Sequence, residues 1–209
     1  MPAKADGDEQ SAFLEDQLRP RLDQAERGGR SVLFVDAAHF VHSPFLGYIW
    51  CLVRMFVRGP SGRNRYNVLA ALDALTHRVI RVANDSYINA TSVCELLRKV
   101  ALSGLPGPVT LVLDNARYQR CEVVQTLARQ LRIELLFLPS YSPNLNLIER
   151  VWKFVKKEAL GSRDFATYEE FGLAIEDCLG HLTTRYKAQM DTLLTLNFQL
   201  FENEPLLSA

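Results

Sequence analysis

The chain has 209 residues, 48% of them apolar, and its 24 basic and 24 acidic side chains cancel to a net charge of zero. This length suits one domain with a sizeable core, and zero net charge gives no overall signal for nucleic-acid binding, so such contacts would come from local clusters. No apolar run approaches the ~18 residues of a membrane span and no signal peptide opens the chain, so we expect a cytoplasmic protein without a membrane partner.

The predicted elements begin with a charged segment, residues 1–30, that we treat as a lead-in and not as a domain. Apolar residues recur there at helical spacing and predict a short amphipathic helix over residues 11–26. Those apolar residues are Phe13, Leu14, Leu18 and Leu22. The first strand follows over Ser31–Ala37.

Strands and helices then alternate along the chain. Apolar and β-branched runs bounded by turn residues predict further strands over residues 66–72, 78–83, 109–113 and 133–138. Helices are predicted over residues 89–102, 118–131, 146–160, 168–182 and 186–198. This order predicts an α/β domain, residues 31–200, built on a mixed five-stranded sheet with helices on both faces. Residues 201–209 are assigned to a C-terminal tail.

Three carboxylates lie at the ends of predicted elements. Asp36 ends the first strand, Asp114 follows the strand over 109–113, and Glu149 opens a helix after residues 139–148. Thirty-four residues separate Asp114 from Glu149. Because ligands of such sheets gather at the carboxyl ends of strands, we expect Asp36 and Asp114 to face each other and Glu149 to complete a site.

Carboxylates that converge from separate elements are typical of two-metal sites. Mg²⁺ prefers hard oxygen ligands, and two such ions about 4 Å apart can activate an attacking oxygen and stabilise a leaving one. Each acid also has an ordinary structural interpretation. Asp114 with Asn115 would suit a turn, and Glu149 lies three residues after Asn146, where it could take part in a helix cap. The residues alone leave both interpretations open.

The residues around two of these acids carry a specific likeness. Residues 111–117 (LVLDNAR) and 136–152 (LFLPSYSPNLNLIERVW) resemble mariner-type transposases, and more narrowly the six-thirty group of bacterial insertion-sequence transposases. The resemblance implies a ribonuclease-H-like fold in which Asp36, Asp114 and Glu149 form the catalytic, metal-binding triad. It also implies two Mg²⁺ ions, with Mn²⁺ as a substitute.

The reaction implied by this resemblance is DNA cleavage at transposon ends, followed by attack of the freed 3′-hydroxyl on target DNA. The implied partners are the inverted-repeat ends, the target DNA and a second copy in a homodimer. Three departures from the family pattern bear on this. Ala37 replaces an acid, Gln119 stands where many relatives have His, and only about 30 residues precede the domain where full-length relatives carry helix-turn-helix modules.

The third departure makes a separate helix-turn-helix polypeptide a candidate partner. It also leaves two alternatives open. One is a catalytically silent or partial transposase that acts as a DNA-binding or assembly partner. The other is a different nuclease on the same fold.

Basic residues outside the triad are candidates for DNA binding. They are Lys153, Lys156 and Lys157 on the Glu149 helix, and Arg63 and Arg65 in a predicted flexible basic loop. Lys153 and Lys156 lie four and seven residues after Glu149, so both are predicted to share its helix face. Contacts of this kind would position a DNA strand and carry little sequence information. The alternatives are a solvated helix face and an ordinary exposed hairpin.

Two further residues are candidates for supporting the acids. Asn115 adjoins Asp114 and could orient a ligand or a water, with a plain turn role as the alternative. His39 lies three residues past Asp36 and could approach the site, with a structural role as the alternative. Trp152 is predicted to belong to the core.

Overall fold

The computed structural model describes residues 6–42 and 64–200. Its strands are β1 (Ser31–Val41), β2 (Arg65–Asp73), β3 (Val79–Asn84), β4 (Val109–Leu113) and β5 (Ile133–Phe137). They form one sheet in the order β3-β2-β1-β4-β5. β1, β4 and β5 are parallel to one another, whereas β2 is antiparallel to both of its neighbours. The predicted mixed five-stranded sheet is confirmed.

The central strand, β1, is longer than predicted. Residues 31–35 pair with β4, while residues 33–41 pair with β2. The sequence pattern predicts an end at Ala37, but pairing with β2 extends the strand to Val41. Asp36 therefore lies within β1 and not at its end.

Asp36 and Asp114 nevertheless lie side by side where the pairing of β1 with β4 ends. Val35 pairs with Leu113, the last residue of β4. Asp36 and Asp114 are the next residues on these adjacent parallel strands, so they leave the pairing at the same edge of the sheet. This is the convergence that the sequence predicts.

Helices flank the sheet and connect its strands. They are α1 (Gly7–Phe13), α2 (Arg19–Glu26), α3 (Ala90–Leu102), α4 (Glu122–Gln130), α5 (Ile148–Val155), α6 (Tyr168–Gly180) and α7 (Lys187–Leu193). π-helical turns over Leu14–Leu18 and Lys156–Leu160 join α1 to α2 and extend α5. Among the described helices, none is both long enough and apolar enough to cross a membrane.

Both faces of the sheet are covered, as predicted. Leu33 and Val35 of β1 pack with α3 and α4 on one face. Val32 and Phe34 pack with α5 and α6 on the other. Because successive strand residues alternate between faces, the side chain of Asp36 belongs to the α5 face.

Two helix boundaries differ from the predictions. The helix predicted from residue 118 begins later, as α4, because residues 116–120 form hydrogen-bonded turns. The helix predicted over 186–198 ends with α7. The residues that follow, 194–200, form neither helix nor strand, and we call them the C-terminal strap.

The charged lead-in packs against the sheet. Its helical segment runs from Gly7 to Glu26, and its N-terminus is capped by Asp6, whose side chain accepts hydrogen bonds from two backbone N–H groups. Phe13, Leu18 and other apolar residues of this segment are buried in the core on the α5 face. The predicted amphipathic helix is confirmed and contributes to the core; where the domain begins stays a prediction.

Candidate active site

Asp36 is held against α5 by a buried tryptophan. Its Oδ2 accepts a hydrogen bond from the indole Nε1 of Trp152 across 2.9 Å. Trp152 is 3% exposed, and its ring meets that of Phe40 edge-on with the centroids 6.1 Å apart. The hydrogen bond orients the Asp36 carboxylate and joins β1 to α5.

Asp114 follows β4 at the start of a loop that Asn115 ties to the end of β5. Asn115 Nδ2 donates to the Leu138 carbonyl across 2.6 Å, and Asn115 Oδ1 accepts from Arg120. Asp114 Oδ1 is buried and has no hydrogen-bond partner among the residues that the structure describes. The Asn115 side chain thus anchors the loop that carries Asp114.

Glu149 lies in the first turn of α5, after residues 139–147, which we call the Glu149 loop. Asn146 in this loop donates its Nδ2 to the Val35 carbonyl across 3.2 Å, which ties the loop to β1. A cap would require the Asn146 Oδ1 to accept a hydrogen bond from the Glu149 N–H. Among the described residues that oxygen has no hydrogen-bond partner, and the Glu149 N–H donates to the Asn146 backbone carbonyl instead. The alternative in which the Asn146 and Glu149 side chains form a cap therefore does not hold.

The three acids line one pocket of about 280 Å³. Asn115, Asn146 and most of the Glu149 loop complete its walls. Burial raises the pKa of Asp36 from 3.8 to about 7, and the charges of Glu149 and Asp114 add to the rise. The other two carboxylates are therefore close enough to repel the charge of Asp36, and a cation among them would relieve that repulsion.

The donor set suits hard divalent cations. It consists of carboxylates from three separate elements, including the buried Oδ1 of Asp114. Within residues 6–42 and 64–200, no group of three or more His, Cys, Asp or Glu side chains is arranged to hold one ion. Two ions about 4 Å apart need fewer protein ligands each, because waters complete their oxygen shells. The three carboxylates thus offer the oxygen ligands that a divalent cation prefers.

The family of this chain follows from a match to a family model. Residues 31–172 match the model described as DDE superfamily endonuclease. The chain belongs to the DDE superfamily endonucleases.

Two curated bacterial proteins are similar to this DDE domain. The uncharacterized protein y4pE/y4sA of Sinorhizobium fredii is 33% identical over 85 residues, which cover 40% of this chain and 61% of the relative. The insertion element IS630 uncharacterized 39 kDa protein of Shigella sonnei is 26% identical over 125 residues, covering 58% of this chain and 36% of the relative. The chain therefore spans less than two thirds of the length of either relative.

Solved structures of the Mos1 transposase share the fold. The Mos1 transposase paired-end complex with left transposon end aligns with a TM-score of 0.63 and 14% identity, covering 92% of this chain and 64% of that one. The Mos1 transposase catalytic domain, solved with Raltegravir and Mg, aligns with a TM-score of 0.60 and 14% identity, covering 97% and 100%. The predicted ribonuclease-H-like fold is confirmed. With the family match and the IS630 relative, so is the predicted place among IS630/mariner-type DDE transposases.

A second cavity of about 560 Å³ adjoins the acid pocket of this DDE domain. Pro143, Asn146 and Glu149 border both cavities. Lys153 and Arg150 line the second cavity, together with residues of the C-terminal strap. Of the predicted DNA-binding residues, Lys153 thus shares a cavity with an acid.

The other predicted DNA-binding residues lie elsewhere. Lys156 and Lys157 are exposed in the π-helical turn that extends α5, and they line neither of the two cavities. Arg65 is exposed at the start of β2. Arg63 lies outside the described residues, with most of the predicted basic loop.

The structure does not bring His39 to the acids. Its Nδ1 lies 2.6 Å from Oδ1 of Asn67 on β2. His39 and Asp36 are three residues apart on β1, so strand alternation places their side chains on opposite faces of the sheet. The contact with Asn67 is structural, and the prediction that His39 supports the acids is corrected.

Trp152 and Gln10 make contacts around the acids that the sequence does not predict. Trp152 is core, as predicted, but it is also the donor to Asp36. A signal was present, because a buried indole N–H usually has an acceptor and Trp152 lies three residues after Glu149 on the same helix. Gln10, in the charged lead-in, bonds to the Glu149 loop and carries no comparable signal.

Proposed function

We propose that this DDE transposase-type endonuclease domain cleaves DNA phosphodiester bonds at transposon ends and joins the freed 3′-hydroxyl to target DNA. The observation that carries the proposal is the shared pocket of Asp36, Asp114 and Glu149, whose charges interact although the residues are remote in sequence. These acids hold two Mg²⁺ ions in the proposed site, with Mn²⁺ as a substitute. Such ions activate an attacking oxygen and stabilise a leaving one.

The similar solved structures support the choice of partners. Mos1 transposase has been solved in a paired-end complex with a transposon end, in a strand transfer complex, and in paired-end complexes with Mg and with Mn. We therefore propose transposon ends and target DNA as substrates of this chain. A homodimer and a separate helix-turn-helix polypeptide are proposed as its protein partners.

The cavity next to the acids supports a path for one DNA strand. A backbone that reaches Glu149 through the second cavity passes Lys153, which is exposed and positively charged. Ionic contacts to phosphates position a strand without reading its bases. We propose Lys153 as the principal phosphate contact among the predicted DNA-binding residues.

A catalytically silent assembly partner is the less favoured function. The complete acid triad shares one pocket, and Asp36 retains a partner that orients it. A protein that only assembles with DNA or with another chain has no need of three carboxylates in one pocket, where the charges of two raise the pKa of the third. The presence and arrangement of the acids therefore favour catalysis.

The test is Mg²⁺- or Mn²⁺-dependent nicking of labelled plasmid DNA. We expect the wild type to cut and Asp114→Asn and Glu149→Gln to lose cutting while keeping the wild-type circular dichroism spectrum. Asp23→Asn, at an exposed acid of α2, is the matched control and should cut like the wild type. Full cutting by Asp114→Asn would refute the metal mechanism, and a folded wild type that never cuts would favour the assembly function.

A further inference from the structure

A buried glutamine joins the N-terminal helix to the Glu149 loop. Gln10, in α1, is fully buried. Its Oε1 accepts a hydrogen bond from Nδ2 of Asn144 across 2.9 Å, and its Nε2 lies 3.5 Å from the Tyr141 carbonyl. These partners are 134 and 131 residues away along the chain. Both ends of a buried amide are thus directed at one loop.

Asn144 is the point where three segments meet. Its Nδ2 also donates to the Gln199 carbonyl of the C-terminal strap across 2.7 Å. An amide nitrogen has two hydrogens, so Asn144 uses one toward α1 and the other toward the strap. The strap is fastened in turn by Arg150, whose guanidinium donates to carbonyls at 193, 195 and 197.

The loop held by these contacts is a wall of the acid pocket. Residues 139–143 and Asn146 line the pocket together with the three acids. Within the loop, Tyr141 has a φ of 57°, a left-handed conformation that surrounding contacts must maintain in a non-glycine residue. Its side chain is 54% exposed, so packing of the ring does not supply that constraint. The contact of Gln10 with the Tyr141 carbonyl is on the backbone itself.

We propose that Gln10 and Asn144 are positioning residues for the acid pocket. They tie the Glu149 loop to α1 and to the strap, and so set Glu149 relative to Asp36 and Asp114. This inference rests on the proposed function, because it concerns the same metal-holding acids. Since the acids stand on three separate elements, a displaced loop moves the start of α5, and with it Glu149, relative to Asp114, and small misplacements of this kind are costly in active sites.

Gln10→Met is the principal variant for testing this. Methionine matches glutamine in length and fills the same buried space, but it neither donates to the Tyr141 carbonyl nor accepts from the Asn144 amide. Leu22→Ala is the matched control, because it opens a core cavity in the same N-terminal helical segment. The double variant Gln10→Met/Asn144→Ala tests whether the two amides act as one unit.

Two measurements on the full chain report the position of the Glu149 loop and not only the stability of the fold. They are amide hydrogen exchange of residues 140–146 and calorimetric Mn²⁺ binding, both well below the melting temperature. We expect Gln10→Met to speed the exchange and weaken Mn²⁺ binding, each by roughly fivefold to tenfold, the factor that one lost hydrogen bond gives. Leu22→Ala should lower the melting temperature and change neither the exchange nor the Mn²⁺ affinity. The single variant Asn144→Ala is measured beside the double variant, and the double variant should show no larger changes than this single variant.

Wild-type exchange and wild-type Mn²⁺ affinity in Gln10→Met would overturn the positioning role. Equal changes in Leu22→Ala would overturn it too, because they would show a general loss of stability. A wild type that binds no Mn²⁺ would instead refute the proposed metal chemistry. In that case, loop exchange alone would decide whether Gln10 holds the loop.

Discussion

Trp152 Nε1 donates a hydrogen bond to Asp36 Oδ2 across 2.9 Å, and this contact joins the helix that carries Glu149 to the strand that carries Asp36. The bond opposes the rise in the pKa of Asp36, because it stabilises the ionised carboxylate. It occupies one lone pair of a group that has about four acceptor sites, so the others stay free for a cation.

Trp152→Phe should weaken metal binding. The phenyl ring stays apolar in the core but has no N–H, so the Asp36 carboxylate loses its fixed orientation. Partners of this kind usually change metal affinity by roughly 10–100-fold. Calorimetric Mn²⁺ titration measures the loss, and Phe40→Leu, which alters the packing beside Trp152 and keeps the N–H, should bind Mn²⁺ normally. Unchanged affinity in Trp152→Phe would contradict an orienting role.

Asp36→Asn should stabilise the protein in the absence of metal. Burial and two neighbouring carboxylates raise the pKa of Asp36 from 3.8 to about 7. The folded state therefore holds the proton more tightly than the unfolded state, and the wild type loses stability as the pH rises from about 4 to about 7. Asparagine carries no charge and escapes this loss, so the expected gain above that range is on the order of 2–4 kcal/mol.

Urea unfolding with a chelator at about pH 8 and about pH 4 measures this gain. The difference between Asp36→Asn and the wild type should be present at the higher pH and absent at the lower one. Added Mn²⁺ should stabilise the wild type and leave the variant unchanged, since ligands stabilise the state that binds them. A variant less stable than the wild type at the higher pH, without metal, would show that burial and the neighbouring carboxylates do not raise the pKa of Asp36.

The parts of this site that the sequence predicts are those with local causes. Asp36 and Asp114 each follow an apolar run that reads as a strand, and Glu149 follows a stretch bounded by Pro139 and Pro143. The common edge of parallel strands brings two acids together once β1 and β4 are neighbours in the sheet. The residues alone leave the role of the acids open, and the family resemblance selects the metal-binding interpretation.

The parts that it does not predict depend on contacts between distant segments. The length of β1 depends on its register with β2, which a single strand does not encode. The acceptor of Trp152 depends on how α5 crosses β1. Gln10 is a lone amide in a charged helix, and its partner Asn144 is 134 residues away, so no local spacing marks the pair.

Lys153→Gln should weaken DNA binding about equally for all sequences. Lys153 lines the cavity that begins at Glu149, and in the proposed function its ammonium contacts a phosphate. Loss of one phosphate contact should reduce the slope of log affinity against log salt concentration by about 1. Lys187→Gln, at an exposed lysine paired with Asp191, is the control and should keep the wild-type slope. An unchanged slope in Lys153→Gln would exclude the contact.

Glu134→Gln should destabilise the protein in a pH-dependent way. Glu134 on β5 accepts hydrogen bonds from Arg21, Arg30 and Thr110. The hydrogen bond from Arg21 is the main reason that its pKa falls from 4.5 to about 2. A lowered folded pKa contributes stability that is present above about pH 4.5 and is lost as the pH falls toward 2.

The Glu134 side chain is 37% exposed, so solvent screens its ion pairs with Arg21 and Arg30. The expected loss in the free energy of unfolding near pH 7 is therefore only about 1 kcal/mol. Urea unfolding at several pH values measures this loss. The difference in the free energy of unfolding between wild type and variant should disappear as the pH falls toward 2. Glu15→Gln breaks a more exposed pair with Arg19 and should have little effect at any pH. A gap that does not depend on pH would point to packing instead of charge.

Arg150→Lys should release the C-terminal strap. Arg150 donates to the carbonyls of Leu193, Thr195 and Asn197 at 3.1, 2.8 and 2.8 Å, and burial lowers its pKa. Lysine keeps the charge but lacks the planar fork that reaches several carbonyls at once, so the strap loses bonds to a charged donor. Each such bond is worth roughly 1.5–3 kcal/mol.

Limited proteolysis with mass spectrometry follows the release, because a loosened strap exposes backbone that a protease can bind. Cleavage within residues 194–200 should become at least about tenfold faster in Arg150→Lys, which matches the loss of about one such bond. Arg185→Lys, at an exposed arginine paired with Asp177, should be cleaved at the wild-type rate. If Arg150→Lys is also cleaved at that rate, the strap is held by its apolar contacts, such as Phe198 with Phe34, and not by the guanidinium.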